Sequence, residues 1–434
     1  MQRSRRHLLP IAFIILANVS ASSAQSQADR MPDNPVDLVR LGLNQKKAVK
    51  VNDAIYLAYG FGNTFMVTTP GGNIIIDTSI AFRAPGAKQL LRAESSGPIK
   101  YIILTHGHGD HTGGISVWRE AGTEIVAQKE HVEFVNYQAR LGGFFAARNA
   151  AQFALPTPRT SAWAGNYGAK IEPTILFDDK YEFSLGGVKV EIYHTPGETP
   201  DHLTVWIPQY KAAFVGDNYY ASFPNLYTLR GTRPRWALDY VNSLNKVLAL
   251  KPEIVLPSHG EPILGNAEIT RRLTQYRDAI QYVHDEAVKG MNAGKDVYAL
   301  MQEIKLPAGL EVGESYGNLI WSIRGIYDGY AGWFDLNPST MYALPPSSAY
   351  PDVVKLAGGA DAIAKLAEER VQADKSIEAL HLTDIALAAE PANRKTLEVR
   401  LKALEKLRQA CRNSNERGWL DYSITTVKSK LGGK

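Results

Sequence analysis

Apolar positions along the chain change their spacing once, and the change divides the sequence. Beyond a polar lead-in at 25–52, the region from Asp53 to 265 carries short apolar runs closed by glycine, proline or polar residues. Asn73 to Ile76, Tyr101 to Leu104, Val188 to Tyr193, Ala212 to Val215 and Ile254 to Leu256 read as buried strands. A stretch from Lys129 to Lys170, rich in alanine, phenylalanine and tyrosine, interrupts them, and Trp236 to Leu250 reads as a helix with Arg233 and Arg235 on its solvated flank, enlargement of a positive pocket being the other reading of the two arginines. From 266 onward apolar residues recur at threes and fours, as in Ile269 to Val288 and Ile363 to Ala373, which predicts helices. An α/β region over 53–265 is therefore expected, then an all-α region over 266–412 and a short tail over 413–434.

The chemistry sits where the strands end. Leu104-Thr-His106-Gly-His108-Gly-Asp110-His111-Thr-Gly-Gly114 places three imidazoles and a carboxylate on a glycine-rich loop directly after an apolar run. Four such donors crowded at one strand end are costly to assemble without a cation to bind. The spacing H-x-H-x-D-H resembles the signature of the metallo-β-lactamase superfamily, whose fold is an αββα sandwich with two metals at one edge of its sheets. The resemblance implies three further ligands, and strand-closing candidates follow in order at Glu198, Asp217 and His259. Glu198 stands where the superfamily usually has a histidine. The implied set is His106, His108 and Glu198 on one metal and Asp110, His111 and His259 on the other, with Asp217 bridging.

Nitrogen and oxygen donors suit two zinc ions, although carboxylate-rich dinuclear sites also accept manganese or iron. The single cysteine, Cys411, is far from these motifs. His194 and His202 flank Glu198. His194 reads as structural, whereas His202 is open between facing the substrate, donating a proton and binding metal. Asp77 resembles the superfamily's non-ligand aspartate that organises the histidine loop, with a strand-end cap as the plainer reading.

The fold hosts many chemistries, so the branch must come from other residues. Glu198 followed nineteen positions later by Asp217 resembles the alkyl sulfatases of the SDS-hydrolase type, in which the second carboxylate is a glutamate. Asn225-Leu-Tyr-Thr-Leu-Arg230-Gly231 resembles their segment ending in an arginine that grips the sulfate, and a guanidinium suits a tetrahedral oxyanion. Tyr330-Ala-Gly-Trp333-Phe-Asp-Leu-Asn-Pro338, then Leu344-Pro-Pro346, resembles part of the alkyl-sulfatase dimerisation domain; its aromatic cluster reads as core. Ser376 to Arg412 resembles a tetratricopeptide-like helix pair. In this superfamily an insert after the histidine loop often covers the active site, so 129–170 is either a lid or a packed helical hairpin.

Together these imply a dinuclear hydrolase that cleaves alkyl sulfate esters to alcohol and inorganic sulfate. Asp110 and His202 are its candidate catalytic residues, Asn225 and Arg230 its substrate contacts, and a homodimer its form. Attack at sulfur or at carbon stays open. The competing readings are another hydrolase of the superfamily, acting on a lactam, lactone or phosphoester, and a periplasmic metal-binding protein without turnover.

Arg3, Arg5 and Arg6 precede the apolar run Leu8 to Val19 and the small residues Ser22-Ser23-Ala24, which reads as a secretory signal over 1–24 of Sec or twin-arginine type. Twelve residues are too few for a membrane span of about twenty. Cleavage would remove three arginines and no acidic residue, taking the net charge from +4 to about +1, so no basic face for nucleic acid is implied. A periplasmic or secreted enzyme without internal disulfides is expected.

Overall fold

The computed structural model describes residues 42–153 and 172–432. The signal reading, most of the lead-in and part of the 129–170 insertion lie outside the described residues.

Two sheets form the centre. The first contains β1 (Val49–Lys50), β2 (Ile55–Ala58), β3 (Thr64–Thr69), β4 (Gly72–Ile76), β5 (Ile99–Ile103), β6 (Glu124–Gln128) and β7 (Ile175–Phe177), ordered as in the chain. Its first four strands pair antiparallel and the rest join in parallel. The second contains β8 (Lys180–Leu185), β9 (Val188–His194), β10 (Leu203–Ile207), β11 (Ala212–Gly216), β12 (Ile254–Pro257) and β13 (Ile263–Leu264). Only β11 and β12 run parallel within it.

Every residue of β4, β10 and β11 is buried, as expected for strands covered on both faces, whereas β8 alternates exposed and half-buried positions at the sheet edge. The inner faces meet through Ile74, Ile103, Val205 and Leu256 around Phe65 and Phe214, whose rings pack edge to face 5.2 Å apart. Burying each such side chain is worth about 1.5–3 kcal/mol. All five strands read from the sequence are present, each within two residues of its expected ends.

On the outside of the first sheet, Ala87 and Leu91 of helix Ala84–Arg92 pack with Trp118 against Ile102 and Met66. On the outside of the second, helices Ala237–Ala249, Asn266–Asn292, Val297–Glu303 and Leu319–Ala331 share one apolar cluster with Trp206, Ala213 and Val215. The expected boundary at 265/266 is thus a change of secondary structure and not of packing: the first helices of the all-α region are the outer layer of the sandwich. The expected pair over 376–412 is helices Ser376–Ala389 and Arg394–Ala410, and Asn393 caps the second by accepting from the Thr396 amide.

Two expectations are corrected. The segment expected as a tail over 413–434 is the helix Ser414–Leu431, whose Leu420, Ile424 and Val427 pack on Leu397 and Leu404. Its other face touches the insertion, so its apolar residues fall on two faces and leave no single stripe to read. The Tyr330–Leu344 cluster is not core. Trp333 is 75% exposed, Leu336 83% and Leu344 74%. Composition does not tell a buried apolar cluster from an exposed one, so only placement separates them. Among the described residues no helix is long and apolar enough to cross a membrane.

Where the last helix meets the insertion, a Cβ on Gly418 would lie 1.6 Å from the Gln152 carbonyl oxygen. Gly418→Ala is expected to force that contact apart at a cost of about 1–3 kcal/mol, read as a lower midpoint in denaturant unfolding.

Candidate metal centre

Four strand ends open onto one place. The loop after β5 carries His106, His108, Asp110 and His111, the turn after β9 carries Glu198, and Asp217 and His259 follow β11 and β12. These ends lie on one edge of the sandwich because β4, β5 and β6 run parallel in one sheet and β11 and β12 in the other.

His106 Nε2 and His108 Nδ1 approach to 2.8 Å, with Glu198 Oε1 3.7 Å from His108 Nδ1 and Asp217 Oδ2 3.8 Å from His106 Nε2. On the other side Asp110 Oδ2 is 3.3 Å from both His111 Nε2 and His259 Nε2, and Asp217 Oδ2 lies 3.5 and 3.2 Å from the same two nitrogens. Six of the seven expected ligands therefore gather in two groups, Asp110, His111 and His259 in one and His106 and His108 in the other, with Asp217 common to both, and Glu198 adjoins the second through His108. Four donors at about 2.1 Å from a tetrahedral ion stand roughly 3.4 Å from each other, close to these separations. The buried His111 Nε2 and Asp217 Oδ1 have no hydrogen-bond partner, which an ion would supply. The donor set fits two divalent cations.

Asp77 prepares one of the imidazoles. Fully buried, it accepts from His111 Nδ1, from the Thr105 amide and hydroxyl, and from the Ser258 hydroxyl, each at 2.8 Å. With its Nδ1 proton donated to Asp77, His111 presents the Nε2 lone pair to the centre. The organising role is thus the one built, and a simple cap would not reach both the histidine loop and Ser258.

Burial disfavours every charge here, and the neighbours decide which survive. Burial pushes the carboxyls of Asp110 and Asp217 up, yet the imidazoles of His111 and His259 outweigh it and hold both well below the usual range. Burial lowers His259, but Asp217 and Asp110 raise it to about 10, and His111 is likewise raised well above its ordinary value. His106 and His108 are held well below theirs, first by burial, then by the charge of His111 on the one and of Arg230 on the other. One half of the centre therefore holds protons that a cation would displace, and the other offers neutral lone pairs.

The structure ties His202 to the backbone of Asp217. Its ring is wholly buried and stacks on His106 at 5.3 Å; Nε2 accepts the Asp217 amide proton at 3.1 Å, and Nδ1 lies 3.4 Å from the Thr195 hydroxyl. Burial pushes it down to about 4. Both ring nitrogens thus meet protein groups, and the ring buttresses the backbone of Asp217. A Cβ on Gly216, at φ +53°, would sit 2.3 Å from that Nε2, so this position requires glycine. His194 is structural, its Nε2 donating to the Pro200 carbonyl at 2.7 Å.

Asn225 and Arg230 flank the same centre. Asn225 Oδ1 and Arg230 Nε are buried with no partner, and the Arg230 charge acts on both His108 and Glu198. Arg235, expected on a solvated flank, is buried: Nη1 donates to Glu198 Oε2 and, at 2.9 Å, to the Asn225 carbonyl, while Nε and Nη2 have no partner. Tyr240 donates to the same Glu198 oxygen at 2.7 Å. Both escape sequence reading. Arg233 and Arg235 straddle Pro234 and look alike, yet Arg233 turns out to Glu133 and the Tyr137 ring. Burial raises the Glu198 carboxyl, opposed by Arg235.

The described part of the insertion is a helical hairpin, His131–Arg140 and Gly142–Gln152, set against the centre. Phe134 packs edge-on to His108 at 5.4 Å, and His131 Nδ1 donates to Asp201 at 2.8 Å.

Residues 58–259 match the metallo-β-lactamase superfamily and residues 298–428 match alkyl sulfatase dimerisation. A linear primary-alkylsulfatase of Pseudomonas sp. is 29% identical over 85% of this chain and 74% of its own length. An (R)-specific secondary-alkylsulfatase of Pseudomonas sp. is 26% identical over 80% of this chain and 57% of its own, and the yeast alkyl/aryl-sulfatase BDS1 is 26% identical over 82% and 60%. The chain thus spans between 57 and 74% of these relatives. In fold it is similar to the stereoselective inverting sec-alkylsulfatase Pisa1 from Pseudomonas sp., with a TM-score of 0.80, 24% identity and coverage of 89% of this chain and 66% of that one.

Removing Arg235 leaves Glu198 as a buried acid without its ion-pair partner, a loss of about 3–5 kcal/mol for such pairs. Arg235→Ala is expected to lower thermal stability and to weaken zinc binding on the order of 10–100-fold in a chelator-competition titration.

Proposed function

We propose, from the premise that this chain belongs to the metallo-β-lactamase superfamily and carries an alkyl sulfatase dimerisation region, that it hydrolyses alkyl sulfate esters to alcohol and inorganic sulfate. The observation that carries this reading is the juxtaposition of two metal-ligating groups sharing Asp217 with guanidinium nitrogens of Arg230 and Arg235 that are buried and unpartnered. Buried cationic donors left open beside such a centre call for an anion.

His106, His108 and Glu198 would hold one ion, and Asp110, His111 and His259 the other, with Asp217 between them. Bound divalent ions lower the pKa of water and neutralise an anionic ester. The protein supplies the rest. Asp77 fixes the ring of His111, the Asp217 amide is tied to His202, and Arg235 with Tyr240 fixes the Glu198 carboxylate. Arg230 would donate to peripheral sulfate oxygens, and Asn225, whose carbonyl is bonded by Arg235, keeps its side-chain oxygen open. With Nε2 of His202 accepting from a backbone amide, its proton lies on Nδ1, facing Thr195 and not the substrate. No proton is therefore routed through it, which favours attack at carbon, where sulfate leaves as a stable anion without an acid.

Zinc is the proposed metal in both positions, with manganese or iron as the alternatives that metal analysis would reveal. An exported, periplasmic or secreted protein is the proposed setting, supported by the arginine-led apolar run and small residues of its first 24 positions.

Sulfate release from primary and secondary alkyl sulfates by the zinc-loaded protein is the test, with β-lactams and lactones alongside. Release is expected to stop with chelator and to fall on the order of a hundredfold in kcat/KM for Arg230→Ala. Turnover of a lactam or lactone without sulfate release would replace the reading. In heavy-oxygen water the label is expected in the alcohol; label in the sulfate would mean attack at sulfur.

A homodimer is proposed as well, supported by the dimerisation match and by the exposed strip of Trp333, Leu336, Tyr342 and Leu344. Trp333→Asp with Leu336→Asp is expected to shift a dimeric protein to monomer in sedimentation, with the fold kept.

A further inference from the structure

The loop that ends in Arg230 is held from outside the sandwich. Arg148, on the second helix of the inserted hairpin, donates through Nε to the Arg230 carbonyl at 2.7 Å and through Nη2 to the Leu229 carbonyl at 2.6 Å. Its guanidinium carbon lies 5.0 Å from the Phe144 ring of the same helix and 5.5 Å from the Trp419 ring of the last helix. The same hairpin abuts the loop again: a Cβ on Gly231, at φ +95°, would lie 3.1 Å from the Phe144 ring. The last helix is fastened in turn. Asn413 donates to the carbonyls of Glu314, Tyr316 and Gly317, and Gly418 sits against the Gln152 carbonyl.

We propose that Arg148, backed by Phe144 and Trp419, is the positioning residue for the anion-binding arginine, setting where the Arg230 guanidinium meets the sulfate group; this rests on the reading of Arg230 as a substrate contact. A forked guanidinium suits the task because it bonds two successive carbonyls in fixed geometry, which a lysine cannot. Two charge-assisted bonds fix the peptide from which the Arg230 side chain departs, and flanking rings fix the clamp. The last helix therefore acts on anion binding from nearly two hundred residues away in sequence.

The test uses the full-length zinc-loaded protein with an alkyl sulfate substrate and inorganic sulfate as competitive inhibitor. In Arg148→Ala, KM and the inhibition constant of sulfate are expected to rise together on the order of tenfold, with kcat within about twofold, since the ligands stay in place. Arg148→Lys is expected to fall between Ala and the unaltered protein, and added guanidinium to recover part of the loss in Arg148→Ala. A fall in kcat with KM and sulfate inhibition unchanged would mean a structural staple only and would overturn the proposal. If Arg230→Ala also leaves both constants unchanged, the reading beneath it fails; if Arg230→Ala raises them and neither Arg148 variant does, the proposal alone fails.

Discussion

The carboxylate of Asp77 is the constraint on which the centre depends. It sits at the end of β4 with φ at +54°, a backbone conformation that costs an L-residue about 1–2 kcal/mol. In exchange it receives four hydrogen bonds from three residues on two segments, so a carboxylate in a fully buried place is satisfied by donors instead of solvent. Two of those donors come from Thr105 at the mouth of the histidine loop, one from His111 within it, and one from Ser258 beside His259 on the other sheet. A single group thereby sets the register of one sheet against the other at the edge where the ligands converge.

Electrostatic balance explains why Glu198 and Arg235 occur together. A carboxylate in place of a neutral imidazole adds a negative charge to a centre whose substrate is read as an anion. Arg235 cancels that charge where it arises, on Glu198 Oε2, and Tyr240 supports the same oxygen. Two divalent ions would then still outweigh the remaining carboxylates of Asp110 and Asp217, and the site keeps a positive potential for an ester with a charged head. The substitution is tolerable because its counter-charge is buried with it.

How much of this was legible differed by residue for physical reasons. The ligands were legible because each closes an apolar strand, and a strand end fixes a side chain's location with few free torsions. His202 was legible as important but not in its role, because whether a ring nitrogen meets an amide or a substrate depends on a segment across the sheet. Arg235 was misread beside Arg233, since both flank the same helix start and only the packing of Tyr240 and Asn225 makes one of them interior. The strip around Trp333 was misread as core because composition does not mark which apolar residues stay exposed on the folded chain. The final helix was missed because it buries two faces, against Leu397 and Leu404 and against the hairpin, and so lacks one apolar stripe.

The two halves of the site are built from different material, and this bears on how substrate choice is set. The metal half comes from strand ends in a two-sheet core, where moving one ligand disturbs Asp77 and the others with it. The proposed anion half is a loop, 225–231, whose Leu229 and Arg230 carbonyls are bonded by the inserted hairpin with the terminal helix behind it, elements that can change without touching the sheets. Arg148 and Trp419 lie on those elements, far in sequence from every ligand. On the proposed function, a fold arranged this way would keep its hydrolytic centre fixed and vary the ester it accepts, because the contacts proposed to grip the leaving group are adjustable from outside the core.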